Sequence, residues 1–305
     1  MNMWIKIRFI FSSLYWKMNY QKIASSFFTL LGTYWLIIEL LDYFFGNEAL
    51  DKYKNFWIVI VASVAVSVLM NLQKLTYSYF IKDKDIKIKL VIGDIFKQHG
   101  DIVIATNTTF DTTMENDFIS KHSIQGKLFL KYYSKIEHLD KDIECALKEV
   151  EPVEILDRKH SKCKRYEIGT TIKLKHNDFK SYWLALSDVN EFGKPFSSFS
   201  GLQSSLESLW SFMSTNGHMD RLVLPILGSG RSSLNESREK ILKEIIYSFV
   251  SFSRERKITE ELVICISPND YVNKKIDLCE IDKFLEYHCL FKHESSHSPS
   301  SSVGI

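Results

Sequence analysis

Three short loops hold the residue types from which a nucleotide pocket is built. The first is Gly93-Asp94-Ile95, directly after the apolar run IKIKLVI (86–92). A carboxylate there either caps the next turn or accepts a hydrogen bond from an exocyclic amine such as that of adenine. The second is Ala105-Thr106-Asn107-Thr108-Thr109, at the end of the run DIVIATN (101–107). Its asparagine can bridge two loops or meet a ribose hydroxyl. The third runs from Pro225 through Gly228, Ser229, Gly230 and Arg231 to Ser233, after RLVLPIL (221–227) and ahead of a helical pattern. Glycines let backbone N–H groups approach a ligand closely, and a helix N-terminus favours an anion, so a diphosphate is the natural guest. Arg231 can add a charge-assisted contact. Alone, a Gly-Ser-Gly loop often makes only a tight turn.

These loops need elements to hold them. From about residue 85 the pattern alternates between strands and helices. Strands are predicted at 86–92, 101–107, 164–175, 181–189, 221–227 and 262–268, with the turn HNDF joining the third to the fourth. Helices are predicted within 126–150 (one or two), at 196–215, at 236–253 and in IDKFLEYHCLF near the end. Phe199, Leu202, Leu206, Leu209, Trp210 and Met213 form one apolar stripe at helical spacing; Ile241, Leu242, Ile245, Ile246, Phe249 and Phe252 form another. Both read as core. The alternation predicts an α/β domain, a three-layer α/β/α arrangement with a mixed sheet. Ligands of such sheets sit beyond the carboxyl ends of the strands, where the three loops would lie.

Composition narrows the function classes. With 45% hydrophobic residues the chain is neither a disordered tail nor a collagen, and a net charge of +2 provides no electrostatic reason to expect a nucleic-acid partner. Five cysteines without a C-x-x-C pair suit a reduced intracellular chain. Cys279, His288 and Cys289 lack a zinc spacing, so no metal is expected. Ser232 and Ser233 have no evident base partner, and no catalytic residues are assigned.

The averages conceal two apolar segments, 24–45 and 56–72. As helices they would be about 33 and 26 Å long, against a hydrocarbon core of ~30 Å. The competing reading is a pair of core helices in a soluble fold. Basic residues before the first (Lys6, Arg8, Lys17, Lys22) and after the second (Lys74, Lys82, Lys84, Lys87, Lys89) put both termini in the cytoplasm. Ser63 and Ser67 form a small-xxx-small spacing that permits close helix contact. Glu39 and Asp42 share a face near the outer end of the first span. The expected organisation is a membrane anchor with two transmembrane helices (1–80), a ligand-sensing domain (81–291) and a disordered Ser-rich tail (292–305).

The three loops, in this order, resemble those of macro domains: a strand followed by Gly-Asp-Ile, an apolar strand ending in Asn, and a late strand leading into a Gly-rich phosphate loop. The resemblance covers 85 to about 290. It implies binding of ADP-ribose and its relatives, with Asp94 on the adenine amine and Ile95 lining the adenine pocket. It places Asn107 near the distal ribose and Gly228, Ser229, Gly230 and Arg231 around the diphosphate. Two departures stand out. The stretch TTFDTTMENDFISKHSIQGKL replaces the usual triple-glycine loop, and the late loop lacks the aromatic residue that stacks near the distal ribose. Both weaken the case for hydrolysis and make Ser123, Ile124, Gln125 and Gly126 candidates for reading a distal substituent.

An apolar hairpin before such a domain is similar to a narrower family, the ThsA-type macro-transmembrane effectors of type II Thoeris antiphage defence. That resemblance implies an inner-membrane, multi-pass protein whose cytoplasmic domain senses an ADP-ribose derivative, histidine-ADP-ribose. It also implies a partner TIR-domain enzyme that makes the signal, homo-oligomerisation on activation, and membrane disruption leading to abortive infection. The alternatives are a membrane-anchored ADP-ribosyl hydrolase or NAD-metabolite enzyme, and a structural tether that docks another protein.

Overall fold

The computed structural model describes residues 13–45, 56–71, 76–114, 119–157, 162–190, 195–217, 220–228, 234–273 and 276–290. The expected tail, 292–305, lies outside them. The chain forms two compact units, Met1–Leu75 and Thr76–Ile305.

The first unit contains α1 (Ser13–Phe45) and α2 (Phe56–Met70), which pack on each other. Asn71 Nδ2, just past α2, donates to Ser26 Oγ on α1 at 3.0 Å. Ser63 and Ser67 are buried, and Ser67 Oγ donates to the Ser63 carbonyl at 2.7 Å. The Ser67 hydroxyl thus has a partner within its own helix. Elsewhere the surface is apolar: Leu36 and Trp57 are 69% and 72% exposed, and Ile37, Leu40, Ile58 and Leu69 are exposed with them. An apolar face of this extent calls for lipid or protein around it. Tyr20–Phe44 is long and apolar enough to cross a membrane. The described part of the second predicted span, Trp57–Met70, is shorter than that. Glu39, on the exposed side of α1, accepts a hydrogen bond from Trp35 Nε1 at 2.9 Å, one turn away.

The second unit is built on one mixed sheet. Its strands are β1 (Thr76–Phe80), β2 (Lys87–Ile92), β3 (Asp101–Asn107), β6 (Thr171–Lys175), β7 (Lys180–Val189), β9 (Arg221–Pro225) and β10 (Glu261–Ile266). The order is β1-β2-β10-β9-β3-β7-β6, with the short β8 (Pro195–Phe196) also on β7. From β2 to β7 all neighbours are parallel, while β1 and β6 close the two sides antiparallel. Parallel strands are covered on both faces, and β9 and β10 are accordingly apolar after their first residue. Ile88, Ile104, Val223 and Ile264 are all fully buried.

Helices cover both faces. On one, α3 (Ile124–Tyr132) packs on β3 and α4 (Ile136–Ala146) on β6. On the other, α5 (Phe199–Asn216) packs on β7 and on α6 (Arg238–Glu255). A short α7 (Pro268–Asn273) follows β10, and α8 (Leu278–Leu290) completes the layer against α6. Both stripes are buried in this layer, apart from Phe199 and Phe252, which are half-buried. The domain is the expected three-layer α/β/α fold with a mixed sheet.

Two details differ from the sequence reading. The predicted strand 164–175 is two pieces. β5 (Lys164–Arg165) pairs with β4 (Glu154–Ile155) in a separate ribbon, and the chain joins the main sheet only at Thr171. Gly169 makes the break: its φ is +90°, and a Cβ there would collide with Ser208. The strand β1 was not anticipated. It has only five residues, and its alternation of exposed and half-buried positions follows an apolar stretch of another kind.

Candidate functional site

Because β2, β10, β9, β3 and β7 are parallel and adjacent, their carboxyl ends share one edge of the sheet. The topology therefore brings the Asp94, Gly228 and Asn107 loops to that edge. From β2 to β3 there are three strand spacings, roughly 14 Å at about 4.8 Å each.

Asp94 leaves β2 and starts a 3-10 turn (Ile95–Lys97). It is exposed, and its Oδ1 accepts the Phe96 N–H at 3.1 Å. One carboxylate oxygen thus orders the turn and the other remains available to a ligand. Ile95 is buried against the sheet at 6% exposure, so most of its surface is core. Gly93 N–H donates to the Ile266 carbonyl at 2.9 Å, fixing this loop to the end of β10.

Asn107 ends β3 at 9% exposure and is drawn into its own loop. Its Nδ2 donates to Asp111 Oδ2 at 2.9 Å, and its Oδ1 accepts the Asp111 N–H, also at 2.9 Å. Phe110, inside this loop, has φ +51° and is fully buried, edge-on to Tyr166 at 5.7 Å. A non-glycine residue in that region costs about 1–2 kcal/mol, and the surrounding hydrogen bonds hold it there. Next to it Thr108 Oγ1 donates to Asp188 Oδ1 at 2.9 Å, and Arg165 pairs with Asp188 and Glu154. The end of β7 and the β4–β5 ribbon are thereby tied to the Asn107 loop.

The segment singled out for a distal substituent forms the start of α3. Ser123 is its N-cap, with Oγ accepting the Gly126 N–H at 3.0 Å and donating to the Ser120 carbonyl at 2.6 Å. Gln125 is buried, and its Nε2 donates to the Asp111 carbonyl at 2.6 Å. At Gly126 a Cβ would lie 2.4 Å from the Ser120 carbonyl oxygen, so the close backbone approach requires glycine. Ile124 packs at the edge of the core cluster under this layer. Each of these residues has a structural role, and Gln125 is joined to Asn107 through Asp111.

Asp111 is the residue that sequence reading passed over. The Asn-x-x-x-Asp spacing within TNTTFD was the available signal, inside a stretch noted only for lacking glycines.

Gly228, after β9, is buried with φ +67°. Its carbonyl accepts the Leu234 N–H at 3.3 Å, which joins the two described residues that flank 229–233. Ser229, Gly230 and Arg231 lie outside the described residues.

Cys265, near the end of β10, donates weakly to the Gly93 carbonyl at 3.5 Å. Burial, with a smaller contribution from the nearby Asp94 carboxylate, pushes its thiol up to about 12. At pH 8 it is therefore a thiol, and a poor nucleophile. Iodoacetamide on the folded protein is expected to alkylate the exposed Cys145 and leave Cys265 unmodified by peptide mass mapping. Equal modification of the two would contradict the packing described for this edge.

The geometry can be set beside known proteins. The family model described as Thoeris protein ThsA, Macro domain matches residues 88–267. The Thoeris protein ThsA of Bacillus amyloliquefaciens (strain Y2) is 25% identical over 210 residues, covering 65% of this chain and 67% of that protein. Among solved structures, the Oceanobacillus iheyensis macrodomain with ADP aligns at TM-score 0.45 and 13% identity, covering 69% of this chain and 99% of that one. The Trypanosoma brucei macrodomain in complex with ADP-ribose aligns at 0.42 and 12%, covering 66% and 74%. The family match takes in β2 to β10, every parallel strand of the sheet and all three loops, and by it this chain belongs to the ThsA macro-domain family of Thoeris proteins.

Proposed function

We propose that the protein is a ligand-gated membrane effector whose macro domain senses an ADP-ribose-type signal. The observation that carries this reading is the sharing of one sheet edge, across ~14 Å of strand spacings, by an exposed carboxylate, a glycine of positive φ and a buried asparagine. Asp94 takes the adenine amine, the Gly228 loop the diphosphate, and the Asn107 loop the distal ribose. The signal is histidine-ADP-ribose, made by a partner TIR-domain enzyme, as the family resemblance implies. No cofactor is required.

The apolar α1 supports a role at the bilayer. The two apolar segments span the inner membrane with both termini in the cytoplasm, and signal binding favours an active, homo-oligomeric arrangement that breaches it. Such a switch needs the ligand to bind the active arrangement more tightly than the resting one. The domain senses and does not hydrolyse: the stretch 108–128 stands in place of the triple-glycine loop, and the late loop has no aromatic residue to stack near the distal ribose.

Membrane potential in cells producing the signal is the test. Wild type is expected to depolarise them and Asp94→Ala, at equal expression, is not. Equal depolarisation by both would overturn the assignment of this pocket as the sensor.

A further inference from the structure

We infer that Asp111 is the positioning residue of this pocket, setting which hydrogen-bonding groups Asn107 and Gln125 present to the ligand. The inference rests on reading the sheet edge as an ADP-ribose-type site and adds a determinant of its specificity.

Asp111 is 1% exposed and sits where three segments meet. Its Oδ2 accepts from Asn107 Nδ2 at 2.9 Å and from Thr109 Oγ1 at 2.7 Å. Its Oδ1 accepts the Lys162 N–H at 3.0 Å, anchoring the segment that leads into β5. Its backbone N–H donates to Asn107 Oδ1, and its carbonyl accepts from Gln125 Nε2. A buried carboxylate with donors on both oxygens is a satisfied group, and one whose donors cannot be exchanged for acceptors.

The consequence is directional. Rotating the Asn107 amide by 180° would set Oδ1 against the Asp111 carboxylate and Nδ2 against the Asp111 N–H, two repulsive contacts in place of two bonds. Asp111 therefore fixes the amide orientation. Thr109 Oγ1 lies 3.2 Å from Asn107 Oδ1 and fills that oxygen's other side. Among the described residues, the second Nδ2 hydrogen is what Asn107 has left to offer, so it presents a donor. Gln125 is committed the opposite way: with Nε2 on the Asp111 carbonyl, its side-chain carbonyl is the group it can present. A donor and an acceptor held by one residue suit a ligand hydroxyl, which accepts from the first and donates to the second.

A double-mutant cycle read by calorimetry, with ADP-ribose as the probe on the full chain, tests this. Asp111→Asn keeps the shape but replaces an acceptor oxygen by a donor. It is expected to weaken binding roughly tenfold or more, the scale of a charge-assisted hydrogen bond. If Asp111 acts through Asn107, most of that loss disappears in the Asn107→Ala background. Thr109→Val, which deletes one donor to the same oxygen, is the milder variant and is expected to weaken binding severalfold if Asp111→Asn does not fold. Losses that multiply in the double variant would overturn the inference, as would a lowered Tm with unchanged affinity for either single variant. Failure of the wild type to bind ADP-ribose would instead refute the reading of the site, and the inference with it.

Discussion

Asp94→Ala is expected to weaken ADP-ribose binding by about ten- to a hundredfold and to leave the fold intact. A hydrogen bond to a charged group contributes about 1.5–3 kcal/mol, and each 1.4 kcal/mol is a factor of ten in affinity. One carboxylate oxygen of Asp94 is engaged by Phe96 N–H, and the side chain is exposed, so the other oxygen reaches a ligand without rearrangement. The structural cost is a single cap on a three-residue turn, about 1 kcal/mol. Asp94→Asn separates the two roles. It can still accept the Phe96 N–H, so Tm should hold, while its amide replaces the free oxygen and most of the affinity goes. Calorimetry alongside thermal melting checks both. An alanine variant that binds as wild type would remove Asp94 from the pocket.

Gly228→Ala is expected to damage fold and site together, by about 2–5 kcal/mol. Two effects act at one atom. The φ of +67° is a region that costs an L-residue about 1–2 kcal/mol. The added Cβ would also lie 2.6 Å from Leu234 Cδ1 and 3.1 Å from its Cγ. Leu234 is 3% exposed and packed beside Leu186, so it cannot swing away cheaply. Relief would come by moving the loop that begins at Gly228, which is the segment assigned to the diphosphate. The variant should therefore melt several degrees lower and bind ADP-ribose more weakly at temperatures where it remains folded. Unchanged melting would show that the loop has slack the packing does not suggest.

These residues differ in how legible they were. The strand carrying Asn107 was readable as an apolar run, since both faces of a parallel sheet are covered, and the strand carrying Asp94 from its β-branched content and alternation with Lys87 and Lys89. That also placed their loops on one edge. The break in 164–175 was not readable: Lys164 and Arg165 find their ladder partner in Glu154 and Ile155, a pairing that no local pattern encodes. Asp94 was read as a cap or a ligand contact, and the structure realises the cap while leaving an oxygen for the second role. Ser123, Gln125 and Gly126 were read through family resemblance as ligand residues. Capping, bridging and close packing are functions of neighbours distant in sequence or of backbone geometry, which residue type alone does not reveal. Asp111 escaped for the same reason, since its importance lies in meeting Asn107, Lys162 and Gln125 at once.

The central claim is that an ADP-ribose-type molecule occupies the carboxyl edge of the sheet. A crystal structure of the protein with ADP-ribose tests it most directly. The account predicts density running from the Asp94 carboxylate at the adenine, past the Gly228 loop at the diphosphate, to Asn107 Nδ2 at the distal ribose. Density at any other surface, or an empty edge at saturating ligand, would contradict it.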